Sequence, residues 1–314
     1  MSYQLNEDQS SILDGVTTIL DRLAGPQRAM ELGVGAHDGR LWGALIDSGY
    51  LDVGRGPDTG ALEAALVVEA IAAAGGLVAA APTAIVAPAL LDTDVGGPIA
   101  LADHTGSQPV RFAPVARTVF GIDADEVVMV TDLTDDEVTA VKTSFAVPAG
   151  RIGAQAWERG ERLGPGSGDL LRRWWRVANA VEQAGLLRSA LALTVDYVNR
   201  REQFGHPIAR FQAVRHRLAE CAVLIEGTRW LSLEAAAHGA PPEAAAIACT
   251  HATAAAKHVV GETHQLTGAM GFTKEYALHV YTTRSQGLTL ELGGLEAHSR
   301  SVSKSRWGTM MADG

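Results

Sequence analysis

Long stretches of helical hydrophobic periodicity, joined by short connections, dominate the second half of this chain. The pattern predicts one helix over residues 170–200 and a second over 211–238. A third is expected over 242–266, and a fourth from about Glu275 onward. Because short connections favour antiparallel neighbours, this half is predicted to form a four-helix bundle.

Residues before about 90 also follow a helical period. Apolar residues recur at helical spacing from Leu5 to Leu20, and again around Leu41 and Leu45. A third helix is predicted over 62–74, ended by Gly75-Gly76. The N-terminal part is therefore expected to be helical.

The middle of the chain has a different pattern. Short β-rich runs separated by turn residues predict a small antiparallel β domain over 91–164. The segment Gly164-Pro165-Gly166-Ser167-Gly168 is the clearest linker. We therefore expect a mainly α protein with a small β domain, divided into 1–90, 91–164 and 165–314. The predicted strands are 98–101, 110–112, 118–121, 126–130 and 137–141.

Composition narrows the possible functions. With 314 residues and 47% hydrophobic content, the chain can bury a large core. Its net charge of -10 argues against general nucleic-acid binding. Cys221 and Cys249 both fall in helical segments, which fits a reducing cytoplasm better than a disulfide framework. The N-terminus lacks a signal-peptide pattern, and the longest apolar stretch, near 64–88, is too interrupted for a membrane span.

The connection between the first two bundle helices is unusually rich in chemistry. Residues 199–212 read NRREQFGHPIARFQ, with an arginine pair, a Gly turn, a proline and two aromatics. An arginine on a rigid turn can grip a phosphate through its planar guanidinium group. Ordinary turn chemistry is the alternative, because loops commonly carry Gly and Pro.

Two motifs carry a family resemblance. The stretch from Arg201 to Gln212 resembles the RxQFGxPIxxFQ signature in the C-terminal helical domain of acyl-CoA dehydrogenases. A second stretch, QLTGAMGFTKEY over 265–276, is similar to the family pattern QxxGGxGFTxEY, with Ala269 replacing the second glycine. The order helical, β, helical also resembles the fold of that family.

The resemblance implies an FAD shared across a subunit interface. In this family one subunit holds the flavin ring, and its neighbour holds the pyrophosphate and adenosine. Arg201 matches the pyrophosphate arginine and Phe204 the aromatic beside the cofactor. The alternative for Arg201 is a surface arginine without a ligand. The alternative for Gln212 is an amide on the surface of a helix. The cofactor-binding residues that the resemblance implies are Arg201, Phe204, Gln212, Gln265, Leu266, Thr267, Gly268 and Ala269.

The segments that would hold the chain's own flavin ring are not recognisable. The family carries TExxxGSD-like and WIT-like segments in its β domain. Between Leu91 and Gly164 the nearest candidates are 105–107 and 128–132, and neither matches well. The resemblance therefore covers the neighbour's half of the site.

The catalytic glutamate of the family is also missing from both of its usual positions. One position aligns with Trp175, and the other falls on Leu292. Glu291, one residue early, is the remaining candidate base. A residue turns a helix by about 100°, so Glu291 is expected to point elsewhere unless the loop differs. The alternative is a solvated or capping carboxylate.

No metal site is predicted. His251, His258 and His264 share one predicted helix, but their spacing does not make an i, i+4 pair. Trp174 and Trp175 are expected to pack in the core.

These observations favour the short, non-catalytic subunit of a heteromeric FAD-dependent acyl-CoA dehydrogenase. The pattern resembles the α2β2 enzymes of actinobacterial steroid catabolism, which implies a full-length partner subunit, a steroid-derived acyl-CoA and an electron-transfer acceptor. One alternative is a homo-oligomeric dehydrogenase that uses Glu291 as a relocated base. Another is a helical interaction module without flavin.

Overall fold

The computed structural model describes residues 5–33, 35–106 and 108–308. The chain begins with helices, as its periodicity predicts. The first is closed by a capping box, in which the Asn6 side chain accepts from the Gln9 amide and the Gln9 side chain accepts from the Asn6 amide. The predicted third helix is present within one residue at each end. The helices of this part are α1 (Glu7–Leu23), α2 (Pro26–Leu32), α3 (Gly39–Asp47), α4 (Ala61–Ala73) and α5 (Ala87–Leu90).

The middle of the chain forms two small sheets. They contain β1 (Ile99–Ala102), β2 (Val110–Arg111), β3 (Thr118–Asp123), β4 (Glu126–Val130), β5 (Val138–Val141), β6 (Ala149–Ile152) and β7 (Glu161–Arg162), with helix α6 (Ala154–Glu158) between the last two strands. One sheet has the order β1-β3-β4-β7 and the other β2-β6-β5.

The expectation of a purely antiparallel arrangement is wrong for one pair. Strand β1 pairs with β3 in parallel, with Ile99 opposite Thr118. The chain leaves β1, contributes β2 to the other sheet, and returns to start β3 beside the start of β1. Strands β6 and β7 were not predicted, because β6 contains Gly150 and Arg151 and β7 has only 2 residues.

The C-terminal part is mainly helical from Ser167 onward. The three long helices pack on one another as the periodicity predicts, but the expected fourth long helix is short, with 11 residues. A further helix follows it and packs on the third long helix. The elements are α7 (Ser167–Arg200), β8 (Glu202–Gln203), β9 (His206–Pro207), α8 (Gln212–Ala237), α9 (Pro242–Thr267), α10 (Leu278–Leu288) and α11 (Gly294–Trp307).

A large apolar core joins the helices to one face of the β1-β3-β4-β7 sheet. It contains Leu66 of α4, Phe120 of β3, Trp175 of α7 and Ala248 of α9. Burying such side chains is the main favourable term in folding, so these parts support one another. Among the described residues, no helix combines the length and the apolar character needed to cross a membrane.

Candidate functional site

The RxQFG-like segment forms a tight hairpin directly after α7. The Arg201 amide donates to the Tyr197 carbonyl, and the Ile208 amide donates to the Arg201 carbonyl at 2.8 Å. Strands β8 and β9 are joined by Phe204 and Gly205, whose φ values are 56° and 80°. Positive φ at both central residues is the geometry of a type I′ turn, which normally favours Asn-Gly. A phenylalanine there is strained, and such strain often marks functional segments.

The hairpin presents its aromatic side chain to solvent. Phe204 is 87% exposed, and its ring meets Phe211 edge-on at 6.1 Å between centroids. Arg201 is also exposed, at the end of α7. Gln212 begins α8 and is exposed, with its amide nitrogen 3.3 Å from the His216 ring. A charged and an aromatic side chain therefore project from a rigid turn without a covering element.

The QxxGG-like segment closes α9. Gln265, Gly268 and Ala269 are exposed, whereas Leu266 is half-buried and Thr267 is buried. Thr267 donates its hydroxyl to the Thr263 carbonyl within the helix. Only Gln265, Gly268 and Ala269 of this predicted set therefore face outward.

Gly268 needs to be glycine because of its backbone. Its φ of 58° with ψ of -141° is a conformation that residues with a Cβ rarely adopt. A Cβ built there would meet nothing within 4 Å, so the backbone is open on that side. Close approach of a ligand to the main chain is possible here.

The two motifs lie at the same end of the bundle. Helices α7, α8 and α9 alternate in direction, so the end of α7 and the end of α9 are neighbours. Arg217 near the start of α8 donates to Glu262 near the end of α9 at 3.0 Å. The Tyr197 and Tyr276 rings are 5.8 Å apart. An open pocket of about 550 Å³ beside this end is lined by Gln265 and Gly268.

A second cavity, of about 330 Å³, lies between the sheets and the bundle. Trp175 and Leu292 both line it, together with Glu291. The two positions that align with the family's catalytic glutamate therefore reach the same cavity, and both carry an apolar side chain. Trp174 and Trp175 are buried in the core as predicted, but Trp175 also forms part of this wall.

Glu291 is held firmly in this cavity. Its Oε2 accepts from Trp175 Nε1 at 2.7 Å and from Asn179 Nδ2 at 3.0 Å. Its Oε1 lies 3.0 Å from Arg111 Nε, and its side chain is only 14% exposed. The expectation of a solvated or capping carboxylate is wrong. Leu292 adopts the left-handed conformation, with φ of 52°, so the turn at Glu291 departs from helical geometry.

Arg111 links Glu291 to a second carboxylate. Two of its N–H groups donate to Glu182 on α7, at 3.0 and 2.7 Å. Burial alone would lower the pKa of Arg111, but the charges and hydrogen bonds of Glu182 and Glu291 raise it above its ordinary value. Sequence reasoning missed this cluster. An arginine in a predicted strand and a glutamate within an apolar helical stretch were its only signals.

The described residues of the two weak flavin-ring candidates do not line this cavity. Ser107 lies outside the described residues. Thr105 and Gly106 do not line the cavity, and Asp132 is on the surface, 3.0 Å from Arg117. The described part of the chain also contains no cluster of His, Cys, Asp and Glu that could hold a metal ion.

Comparisons with known proteins bear on the family and the fold of the chain. Residues 173–306 match the family described as acyl-CoA dehydrogenase, C-terminal domain. The acyl-CoA dehydrogenase IpdE2 of Mycobacterium tuberculosis is 39% identical over 108 residues, which cover 34% of this chain and 34% of IpdE2. The chain thus matches about a third of the length of this curated relative.

Two solved structures resemble the whole chain. In the ChsE4-ChsE5 complex from Mycobacterium tuberculosis, a chain is 24% identical, with a TM-score of 0.76 and 100% of both chains covered. In a variant of the Tcur3481-Tcur3483 steroid ACAD, a chain is 25% identical, with a TM-score of 0.77 and 98% of both chains covered. The chain therefore has the acyl-CoA dehydrogenase fold, and its residues 173–306 match the family of acyl-CoA dehydrogenase C-terminal domains.

Proposed function

We propose that this chain is the smaller, non-catalytic subunit of a heteromeric FAD-dependent acyl-CoA dehydrogenase. A full-length partner subunit supplies the general base, the flavin-ring contacts and most of the acyl-CoA pocket. This chain holds the pyrophosphate and adenosine of the partner's FAD through the Arg201 hairpin and the Gly268 turn. The product is an α,β-unsaturated acyl-CoA.

The contrast between the two sites carries this proposal. At the chain's own cavity, both base positions hold apolar side chains, Trp175 and Leu292, and Glu291 is tied to Arg111. At the end of the bundle, Arg201 and Phe204 project freely into solvent. A subunit that catalyses the reaction with its own flavin needs a base that is free to take a proton. A subunit that binds the flavin of its neighbour needs only the exposed motifs at Arg201 and Gly268.

The exposed end has the chemistry that an adenosine diphosphate group requires. A guanidinium group such as that of Arg201 pairs with phosphate, and the open backbone at Gly268 allows close approach. The Phe204 ring offers a flat apolar face. When bound, FAD supplies the redox chemistry by accepting a hydride from the acyl thioester. The residues of this chain bind and orient its non-reacting end.

The partner and the substrate class rest on the comparisons. The ChsE4-ChsE5 structure is a complex of two proteins, and the Tcur3481-Tcur3483 protein is a steroid ACAD. By analogy, we infer an α2β2 assembly that acts on a steroid-derived CoA thioester and passes electrons to a transfer protein.

One observation supports a second candidate. Glu291 reaches the cavity at which the family's base acts, so a homo-oligomeric dehydrogenase with a relocated base is the alternative. Its carboxylate already meets three donors, which argues against free access to a substrate proton.

Co-expression distinguishes these functions. The chain is purified alone and together with the gene product encoded beside it, and bound FAD, subunit ratio and turnover are measured. We expect FAD and turnover only from the complex. Stoichiometric FAD and turnover from this chain alone would support the homo-oligomer, and a colourless complex would support an interaction module without flavin.

A further inference from the structure

The 330 Å³ cavity at Glu291 has the character of a ligand pocket in its own right. Most of its wall is apolar, with Leu101, Val110, Phe145, Val147 and Trp175 among its lining residues. Small-molecule sites are typically of about 300–1,000 Å³, mostly apolar, with a few convergent polar groups. The cavity meets each of these conditions.

The Glu291 carboxylate in this cavity favours a ligand that carries a hydroxyl group. Glu291 Oε2 is occupied by two donors, but Oε1 meets only Arg111 Nε and keeps acceptor capacity. A carboxylate oxygen can accept a second hydrogen bond from a ligand O–H. A hydroxyl donor at this point would therefore complete the hydrogen bonding of Glu291.

The charged side chains that line the cavity disfavour an anion. Asp103 and Glu291 line the cavity, and the one lining arginine, Arg111, is already paired with Glu182 and Glu291. Among the described lining residues, a ligand carboxylate would find no unpaired arginine or lysine. The remaining lining residue that can carry a positive charge, His104, is largely exposed and lies beside Asp103. Like charges at close range in a partly buried site repel strongly.

Some of the strained backbone of the described residues lies at the same cavity. Three of the seven described non-glycine residues with positive φ line this cavity or adjoin its lining: Phe112 with φ of 66°, Ala146 with φ of 55° and Leu292 with φ of 52°. Phe112 follows Arg111, Ala146 separates Phe145 from Val147, and Leu292 follows Glu291. Strained backbone persists where the surrounding structure holds a functional arrangement. The backbone at this cavity is therefore held in conformations that are unfavourable for residues with a Cβ.

We propose that this cavity binds a neutral, largely apolar compound that carries a hydroxyl group, with the hydroxyl donating to Glu291 Oε1. The ligand is held without being oxidised. This inference concerns the chain's own cavity and does not depend on which subunit supplies the catalytic base or holds FAD.

Three probes with the same ring system test the ligand class. The full-length chain, in complex with its partner where that is required for solubility, is titrated with 2-naphthol, naphthalene and 2-naphthoate at pH 7, with fluorescence as the readout. We expect 2-naphthol to bind at least about tenfold more tightly than the other two, because only it donates to a carboxylate without adding charge. Equal binding of the three probes, or no binding of 2-naphthol, would overturn the proposal.

Variants locate the binding. Val147→Trp should fill the cavity and abolish 2-naphthol binding, whereas Glu291→Gln should reduce the preference for 2-naphthol over 2-naphthoate at least threefold. Glu262→Gln is the matched control, since Glu262 is also paired with an arginine but lies at the other site. Circular dichroism checks that each variant is folded. Binding unchanged in a folded Val147→Trp protein would refute the assignment to this cavity, as would an unchanged preference in folded Glu291→Gln.

Discussion

The indole of Trp175 donates to the carboxylate of Glu291 at 2.7 Å, which joins helix α7 to the turn after α10. By sequence resemblance, Trp175 aligns with the catalytic glutamate of one group of acyl-CoA dehydrogenases, and Glu291 precedes by one residue the position used by the others. The chain therefore has a carboxylate in its cavity, but a tryptophan and an arginine hold it.

This relationship predicts a small catalytic role for Glu291. Removing a positioned general base costs about 10²–10⁴ in rate. In the complex with the partner, we expect Glu291→Gln to lower kcat by less than about tenfold, because the partner supplies the base. The measurement is steady-state turnover with an acyl-CoA substrate. A loss of 10² or more in a folded, FAD-loaded complex would favour Glu291 as the base.

The buried ion cluster predicts a large effect on stability. Arg111→Met would leave Glu182 and Glu291 without their cation in a buried site, and we expect a loss of about 3–5 kcal/mol in the free energy of unfolding. Arg117→Met is the matched control on an exposed pair with Asp132, where the loss should stay below about 1 kcal/mol. Urea unfolding followed by circular dichroism compares the two. Similar losses in both variants would contradict the assigned burial.

We expect substitution of Gly268 to affect stability differently from substitution of a glycine inside a helix. Gly268→Ala forces a side chain into an unfavourable backbone conformation, with an expected cost of about 1–3 kcal/mol and weaker FAD retention in the complex. Gly43→Ala, inside α3 with open space around it, should instead stabilise by about 0.5–1 kcal/mol. Thermal unfolding and the flavin content of the purified complex test both. A Gly268→Ala complex with normal stability and flavin content would count against the cradle.

His298 predicts a specific dependence on pH. The residue is fully buried, and burial, with a smaller contribution from the charge of Arg176, lowers its pKa from 6.5 to about 4. The unfolded chain takes up this proton first, so the contribution to stability is complete above pH 6.5 and is lost as the pH falls towards 4. The full effect is about 3 kcal/mol.

Comparison of variants isolates this effect. Between pH 7 and pH 5, the wild-type protein should lose more unfolding free energy than His298→Gln, measured by urea unfolding at each pH. His238→Gln, which removes an exposed histidine at the end of α8, should follow the wild-type curve. Parallel curves for wild type and His298→Gln would contradict the depressed pKa.

Local sequence patterns predicted the elements better than their arrangement. Hydrophobic period and turn residues placed α4, β4 and α9 within one or two residues, because these signals are local. The parallel pairing of β1 with β3 depends on a strand that leaves the sheet between them, which no local pattern encodes. Strand β6, interrupted by Gly150, has no apolar alternation to reveal it.

The candidate site also has parts that local sequence predicted and parts that depend on long-range contacts. The hairpin around Arg201 and the turn at Gly268 were recognisable because each motif is contiguous in sequence. The cluster of Arg111, Glu182 and Glu291 joins a strand, a helix and a turn that are distant in the chain, so only the folded arrangement brings it together. The environment of Glu291 was misjudged for this reason.

The flavin content of the complex tests the central claim, that this chain holds the non-reacting end of a cofactor whose flavin ring belongs to the partner. The complex is purified with wild-type chain, with Arg201→Ala, or with Arg200→Ala, whose arginine pairs with Asp196 on the same surface. FAD affinity is measured by titration of the apo complex. The account predicts that Arg201→Ala weakens FAD binding about 10- to 100-fold while Arg200→Ala does not, since a charged hydrogen bond contributes about 1.5–3 kcal/mol. Equal FAD affinity in all three complexes would contradict it.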